Sequence, residues 1–262
     1  MTRSALPRRF AAAAVALALL AGCSSKGGTE AKTTTTKAKS TTTAVTDETV
    51  ATTTTEKTTT TAGSSGEAPS ADLLKGILPP SSKLGQGWKE SDPPGADEEL
   101  DAAVKDQCPG AVELGADPAK DVVAAYAGPS DEGLEIDFDR NAKVYDTSEF
   151  DALISSIDKC DAVTYTDADQ VTYTLTFSPQ RADSLGEQSA GMLVSGAVSN
   201  ADGSKKIELK QYVYSIHRGT VGMTIQASDG VDTSTGKVTD FDTDLLDNLA
   251  KVLDDNLKEL MS

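Results

Sequence analysis

The chain has 262 residues, a formal net charge of −17 at neutral pH, three cysteines, one histidine and one tryptophan. Residues 1–66 hold eight of the 24 basic and four of the 41 acidic side chains, which leaves residues 67–262 with 16 against 37, a net of −21. A body this acidic is repelled by phosphate backbones and anionic head groups, so nucleic acid is excluded as a partner.

Arg3, Arg8 and Arg9 stand ahead of an apolar run over 10–21. That run is too short to span a bilayer as a helix and has the length of a secretion-signal core. It ends in Leu20-Ala21-Gly22-Cys23. A leucine, two small residues and a cysteine in this position resemble the bacterial lipobox, where the cysteine thiol receives a diacylglycerol and the signal is cut away before it. The expectation is a signal peptide over 1–22, an acylated Cys23 carrying palmitate-type chains, and a body held on the extracytoplasmic side of the cell membrane. An ordinary signal peptide with a chance cysteine is the alternative. Arg8-Arg9 before Phe10 also hints at twin-arginine export.

Residues 24–66 contain 18 threonines and five serines in 43 positions, with Val45 and Val50 as the sizeable apolar side chains. Such a segment cannot bury enough surface to offset its conformational entropy, which predicts a disordered tether over 23–66. Fully extended it reaches roughly 150 Å; as a flexible coil it averages about 35–40 Å. Blocks such as Thr33 to Thr36 and Thr58 to Thr61 resemble mucin-like stalks, which glycosylation would stiffen.

One folded domain is expected over 67–262. Leu73, Leu74, Ile77 and Leu78 form a short apolar turn stopped by Pro79-Pro80, and Trp88 follows between glycine-rich turns. Leu100, Ala103, Val104 and Cys108 have helical spacing behind an acidic first turn, and Pro109-Gly110 is expected to end that helix. Residues 121–127 and 134–145 read as strands. In the second, Leu134, Ile136 and Phe138 alternate with Glu135, Asp137 and Asp139, which assigns the carboxylates to a solvated sheet face. Asp146-Thr147 caps an amphipathic helix with Phe150, Leu153, Ile154 and Ile157, which delivers Cys160. Runs over 162–166, 171–178, 188–199, 206–217 and 220–228 predict an antiparallel meander with tight turns. The last helix, within 241–260, carries Leu245, Leu246, Leu249, Val252, Leu253, Leu257 and Leu260 and should lie across the sheet. The fold class expected is α+β: an antiparallel β-sheet meander packed by helices on one face, behind the tether.

In an exported protein the pair Cys108 and Cys160 is most simply a disulfide. A metal site would need more ligands than two cysteines and His217 provide, and no metal or cofactor is expected. The run Asp240-Phe241-Asp242-Thr243-Asp244 resembles the start of a calcium loop but places Leu245 where glycine is required and Lys251 where a bidentate glutamate belongs. Its aspartates are better read as helix N-terminal charges. His217 could act as a base, yet no Gly-x-Ser-x-Gly elbow accompanies it. Trp88, His217 and Arg218 remain as candidate ligand contacts. For Trp88 the competing reading is a plug at the core edge, and for His217 a hairpin-end residue.

The order of lipobox, Thr-rich tether, Leu-Pro stretch with Trp88, the two cysteines after helices, Leu185-Gly186-Glu187, His217-Arg218-Gly219-Thr220-Val221 and a C-terminal helix resembles one group of proteins. These are the actinobacterial lipoproteins whose domain is similar to the extracellular sensor domain of the mycobacterial kinase PknH. The resemblance covers roughly residues 72–260 and implies an α+β domain with an antiparallel sheet and a ligand-sensing cleft. The chain departs from the pattern in having one cysteine pair where many members carry two. The function expected is therefore a non-catalytic, membrane-anchored envelope lipoprotein that binds a small molecule, an envelope glycan or a partner protein. A lipid or glycolipid carrier and a wall-polymer hydrolase are the alternatives.

Overall fold

The computed structural model describes residues 68–94, 98–115, 121–168, 170–180, 182, 185–199, 206–232 and 235–262. The expected signal peptide and tether, with Cys23, lie outside the described residues, as does the connection between the runs expected over 188–199 and 206–217. Among the described residues, five helices and an eight-stranded antiparallel sheet make the domain. In chain order they are α1 (Ala71–Ile77), β1 (Lys89–Ser91), α2 (Glu98–Gln107), α3 (Pro109–Gly115), β2 (Val122–Ala127), β3 (Gly133–Asp139), α4 (Thr147–Asp158), β4 (Val163–Thr166), β5 (Thr172–Gln180), β6 (Gln188–Ser199), β7 (Lys206–Arg218), β8 (Val221–Ser228), β9 (Gly230–Asp232), β10 (Lys237–Thr239) and α5 (Thr243–Leu260). The large sheet runs β1-β2-β3-β8-β7-β6-β5-β4, and β9 pairs with β10 in a separate ribbon.

The meander expected from the sequence is present as two consecutive runs, β1 to β3 and β4 to β8, joined where β3 pairs with β8. Arg218 pairs with Val221, which leaves the two-residue connection Gly219-Thr220, and Gly219 has φ +52 as a tight hairpin requires. Pro179 is tolerated in β5 because β4 pairs only with Thr172 to Leu175, so that the far end of β5 is a sheet edge with no need for its N–H.

One helix and one boundary differ from expectation. The first helix, α2, ends at Gln107 ahead of Pro109 as expected, but Pro109 also opens a further helix, α3, where its missing N–H is one that a first helical turn leaves unused. The strand expected over 134–145 stops at Asp139, because Asp139 Oδ1 accepts from Asn141 N–H and turns the chain away.

The helices divide between the faces. On β7 the residues Ile207, Leu209 and Val213 join α2, α3, α4 and β4 to β6 in one core, while Tyr212, Tyr214 and Ile216 join α1, α5, β2, β3 and β8 in another. Each half of the sheet is packed by helices on one face, and the two halves use opposite faces. In α5, Leu246, Leu249, Ala250, Leu253 and Leu257 are buried, whereas Val252 points outward with 55% of its surface exposed. The N-terminus of α5 is capped by Asp242, whose carboxylate accepts from the N–H groups of Asp244 and Leu245. The cap of α4 is Asp146, reciprocated by Glu149 in a capping box. Truncating Leu253, fully buried in the α5 seam, to alanine is expected to cost about 2–5 kcal/mol in denaturant unfolding.

Candidate functional site

The half-sheet formed by β2, β3, β8 and the end of β7 has α1 and α5 on one face. Its other face is polar and yet buried. Strand register lays this face out in rows: Gly133, Ser228 and Gln211; Glu135, Gln226 and Val213; Asp137, Thr224 and Ser215; Asp139, Gly222 and His217. Glu135, Asp137, Asp139, Gln211, Ser215, Gln226 and Ser228 are all buried. The carboxylates of β3 are therefore not on a solvated face, contrary to the reading from alternation. Period two identifies the two faces of a strand but not which one meets water.

At one end of this face lies a cleft of about 410 Å³, within the range of small-molecule sites. Its floor includes Glu135, Gln211, Gln226 and Ser228, and its walls include Asp92 after β1, the β2–β3 connection at Asp131 and Glu132, and Val231 of β9. Across the floor, Gln211 Nε2 donates to Gln226 Oε1 at 2.9 Å. The remaining ends of the two carboxamides, Gln211 Oε1 and Gln226 Nε2, are buried with no hydrogen-bond partner among the described residues. Exchanging N and O in both amides preserves the result: one acceptor and one donor are left over. Buried carboxamide ends that no protein group meets are costly in a folded protein, and a guest that supplies their partners would remove the cost.

Close backbone packing positions the wall. A Cβ added at Gly230 would come within 2.0 Å of Ser130 O and 2.9 Å of Glu132 N, so β9 and the β2–β3 connection touch main chain to main chain. Next to it, the buried Asp229 carboxylate accepts from Lys210 N at 2.8 Å and Phe241 N at 2.9 Å. It ties β7 to the entry of α5. Burial pushes the Asp229 carboxyl above its ordinary range, with the two N–H donors opposing. Gly230→Ala is expected to displace the connection at 130–132 and to cost about 1–3 kcal/mol. Denaturant unfolding measures the loss, and amide exchange at Ser130 to Glu132 reports the opening of the wall.

The three candidate ligand contacts from the sequence are placed apart, and none lines this cleft. Trp88 packs edge-on against Phe241, with ring centroids 5.9 Å apart, on the α5 side of the sheet. His217 lies at the far end of the polar face, with Nε2 3.2 Å from Ser215 Oγ and its ring edge-on to Tyr145. Arg218 faces the opposite side, where Nε and Nη2 donate to Oδ1 and Oδ2 of Asp254 at 2.6 and 2.9 Å. Asp254 Oδ2 also accepts from Gly186 N at 3.0 Å, and Glu187 accepts from Gly219 N. The two motifs around Gly186 and Arg218 thus meet at one carboxylate of α5.

Cys108 and Cys160 are disulfide-bonded, with Cα atoms 5.5 Å apart, and join the residue after α2 to the second residue beyond α4. Among the described residues no group of three or more His, Cys, Asp or Glu is placed to hold a metal ion, and no helix is long and apolar enough to cross a membrane. Gln211 and Gln226 were missed by sequence reasoning. The available signal was a glutamine at an inward-facing position of β7, between Leu209 and Val213.

No family model matches the chain, and no curated protein matches it. Among solved structures the chain is similar to the extracellular domain of PknH from Mycobacterium tuberculosis, with 14% sequence identity, a TM-score of 0.41, and coverage of 74% of this chain and 98% of that one.

Proposed function

We propose that the chain is a membrane-anchored cell-envelope lipoprotein whose α+β domain is a non-catalytic, sensor-like ligand-binding module. One observation carries the binding half of this reading: the Gln211–Gln226 pair presents an unfilled acceptor and an unfilled donor on the floor of a cleft of about 410 Å³. The anchoring half rests on Arg3, Arg8 and Arg9, the apolar run and Leu20-Ala21-Gly22-Cys23. A carrier of acyl chains is disfavoured by the cleft, because an alkyl guest would dehydrate the exposed carboxylates of Asp92 and Asp131 among its lining residues. A hydrolase built on His217 is disfavoured by position: its hydrogen-bonded Ser215 is buried at 4% exposure and lines no part of the cleft.

Metabolic labelling with an alkyne fatty acid tests the anchor. The full chain is expected to take up label and sediment with membranes, and Cys23→Ser to lose both properties. Persistence of label in Cys23→Ser would move the acyl site elsewhere and remove the lipobox reading. Incubation of the full chain with isolated envelope polymer is expected to release no soluble fragments. Release that His217→Ala abolished would replace the binding reading with the hydrolase.

A further inference from the structure

We infer that the cleft takes a small organic cation, a protonated amine or guanidinium that also carries hydroxyl or carbonyl groups; this rests on the reading of the cleft as a ligand site. The ionisable acids lining it are Asp92, Asp131, Glu132 and Glu135, and no lysine, arginine or histidine is among the lining residues described. An anionic guest would enter against four carboxylates, whereas a cation would enter with the field of the whole acidic body.

Acidity alone would describe only a solvated rim, and Asp92 and Asp131 are indeed exposed. The floor adds an independent feature. Gln211 and Gln226 are 1% and 3% exposed, and their acceptor and donor ends, which no described protein group meets, are fixed by the bond they share. An ammonium or guanidinium N–H matches the acceptor, and a hydroxyl or carbonyl oxygen on the same molecule matches the donor. A simple metal ion would leave the donor end unused, and an apolar guest would leave both ends unfilled. The volume limits the guest to a small molecule.

The test uses the full-length chain in detergent and four probes at millimolar concentration: glucosamine, glucose and glucuronate, which share a ring but carry positive, zero and negative charge, and agmatine as a guanidinium-bearing amine. Saturation-transfer NMR is expected to show glucosamine or agmatine binding and glucuronate silent. The variant Gln211→Leu/Gln226→Leu keeps every carboxylate while removing the carboxamides. It is expected to weaken cation binding at least ten-fold and to melt at a higher temperature than the parent, because two unfilled polar groups are replaced by apolar ones of similar size. Equal cation binding by parent and variant would mean diffuse attraction to an acidic surface and would overturn the inference. Binding of glucose or glucuronate as tight as that of glucosamine, lost in the variant, would overturn the cationic class while leaving the cleft as a site. If every probe is silent the inference falls, and the variant's melting point then decides the cleft. A raised value keeps it as a site for another class, and an unchanged or lowered one removes the binding reading as well.

Discussion

Asp254→Ala, with Arg218 left in place, is expected to lower folding stability by about 3–5 kcal/mol, because it strands a guanidinium in the seam between α5 and the sheet. In a domain of this size that corresponds to a drop of about 6–20 °C in melting temperature. The side chains of Arg218 and Asp254 are 16% and 4% exposed, so solvent screens them little. The loss also frees Gly186 N–H, which Asp254 Oδ2 accepts. The paired replacement Arg218→Met/Asp254→Leu removes both charges and is expected to recover most of the stability. Chemical unfolding of parent, single and double variants measures the coupling. A single variant within 1 kcal/mol of the parent, against the roughly 3–5 expected of a buried pair, would show that the pair does not hold α5 down.

The same pair dictates a pH response. Burial raises the Asp254 carboxyl, but the Arg218 hydrogen bonds, the Gly186 N–H and the Arg218 charge outweigh it, and the group ends below its ordinary value of 3.8. A carboxyl with a depressed folded pKa contributes stability that is present above the unfolded value and lost as pH falls through the folded one. Asp229 runs the other way: burial raises it, so its contribution is complete below the unfolded value and declines as pH rises through the folded one. Acid titration of the parent should therefore show a loss of stability below about pH 4 that Asp254→Asn reduces, the remainder coming from Asp121 and Asp146, which hydrogen bonds also hold below their ordinary value. Asp229→Asn should leave that loss in place.

Cys108→Ala/Cys160→Ala is the second large effect. Releasing a loop of 52 residues is expected to cost about 4 kcal/mol in the loop-entropy account. The damage should be local, because α2, α3 and α4 pack on the core shared with β4, β5 and β6, while α5 packs on the other. Amide exchange is expected to accelerate in α2 to α4 and in β4 well before it does in α5 and β8. Uniform acceleration throughout would contradict two half-sheets with separate helical covers. Loss of less than 1 kcal/mol, against the roughly 4 of the loop-entropy account, would show that the reduced chain is already constrained by packing alone.

Several parts of this domain were legible in the residues themselves. Phe150, Leu153 and Ile157 recur at helical spacing behind Asp146 and Glu149, so α4, its buried side and its cap follow from local chemistry. The long apolar stripe of α5 and a tight turn at Gly219 are local in the same sense, and so is the pairing of the two cysteines that follow the lipobox-like motif. What escaped was every feature that depends on which segments meet. α2 ends ahead of Pro109 as its residues imply, but that a second helix starts at Pro109 depends on the packing of α3 against α4. An aspartate at position 254, inside an otherwise apolar stripe, announces a buried partner without naming it. Arg218 becomes that partner because β7 lies under α5.

The sequence alone determines the local periodicities, the caps, the acidity of the body, the pair of cysteines and the expectation of an acylated tether, since each depends on neighbours a few residues apart. The tertiary structure decided the rest. Pairing of β3 with β8 and β8 with β7 brings Glu135, Gln226 and Gln211 from segments up to 91 positions apart onto one face, and the placing of α5 on the opposite face leaves that polar surface to form a cleft. Alternation along a strand marks two sides equally well. Only long-range pairing, and the helix that chooses one of those sides, determines which is core and which can hold a guest.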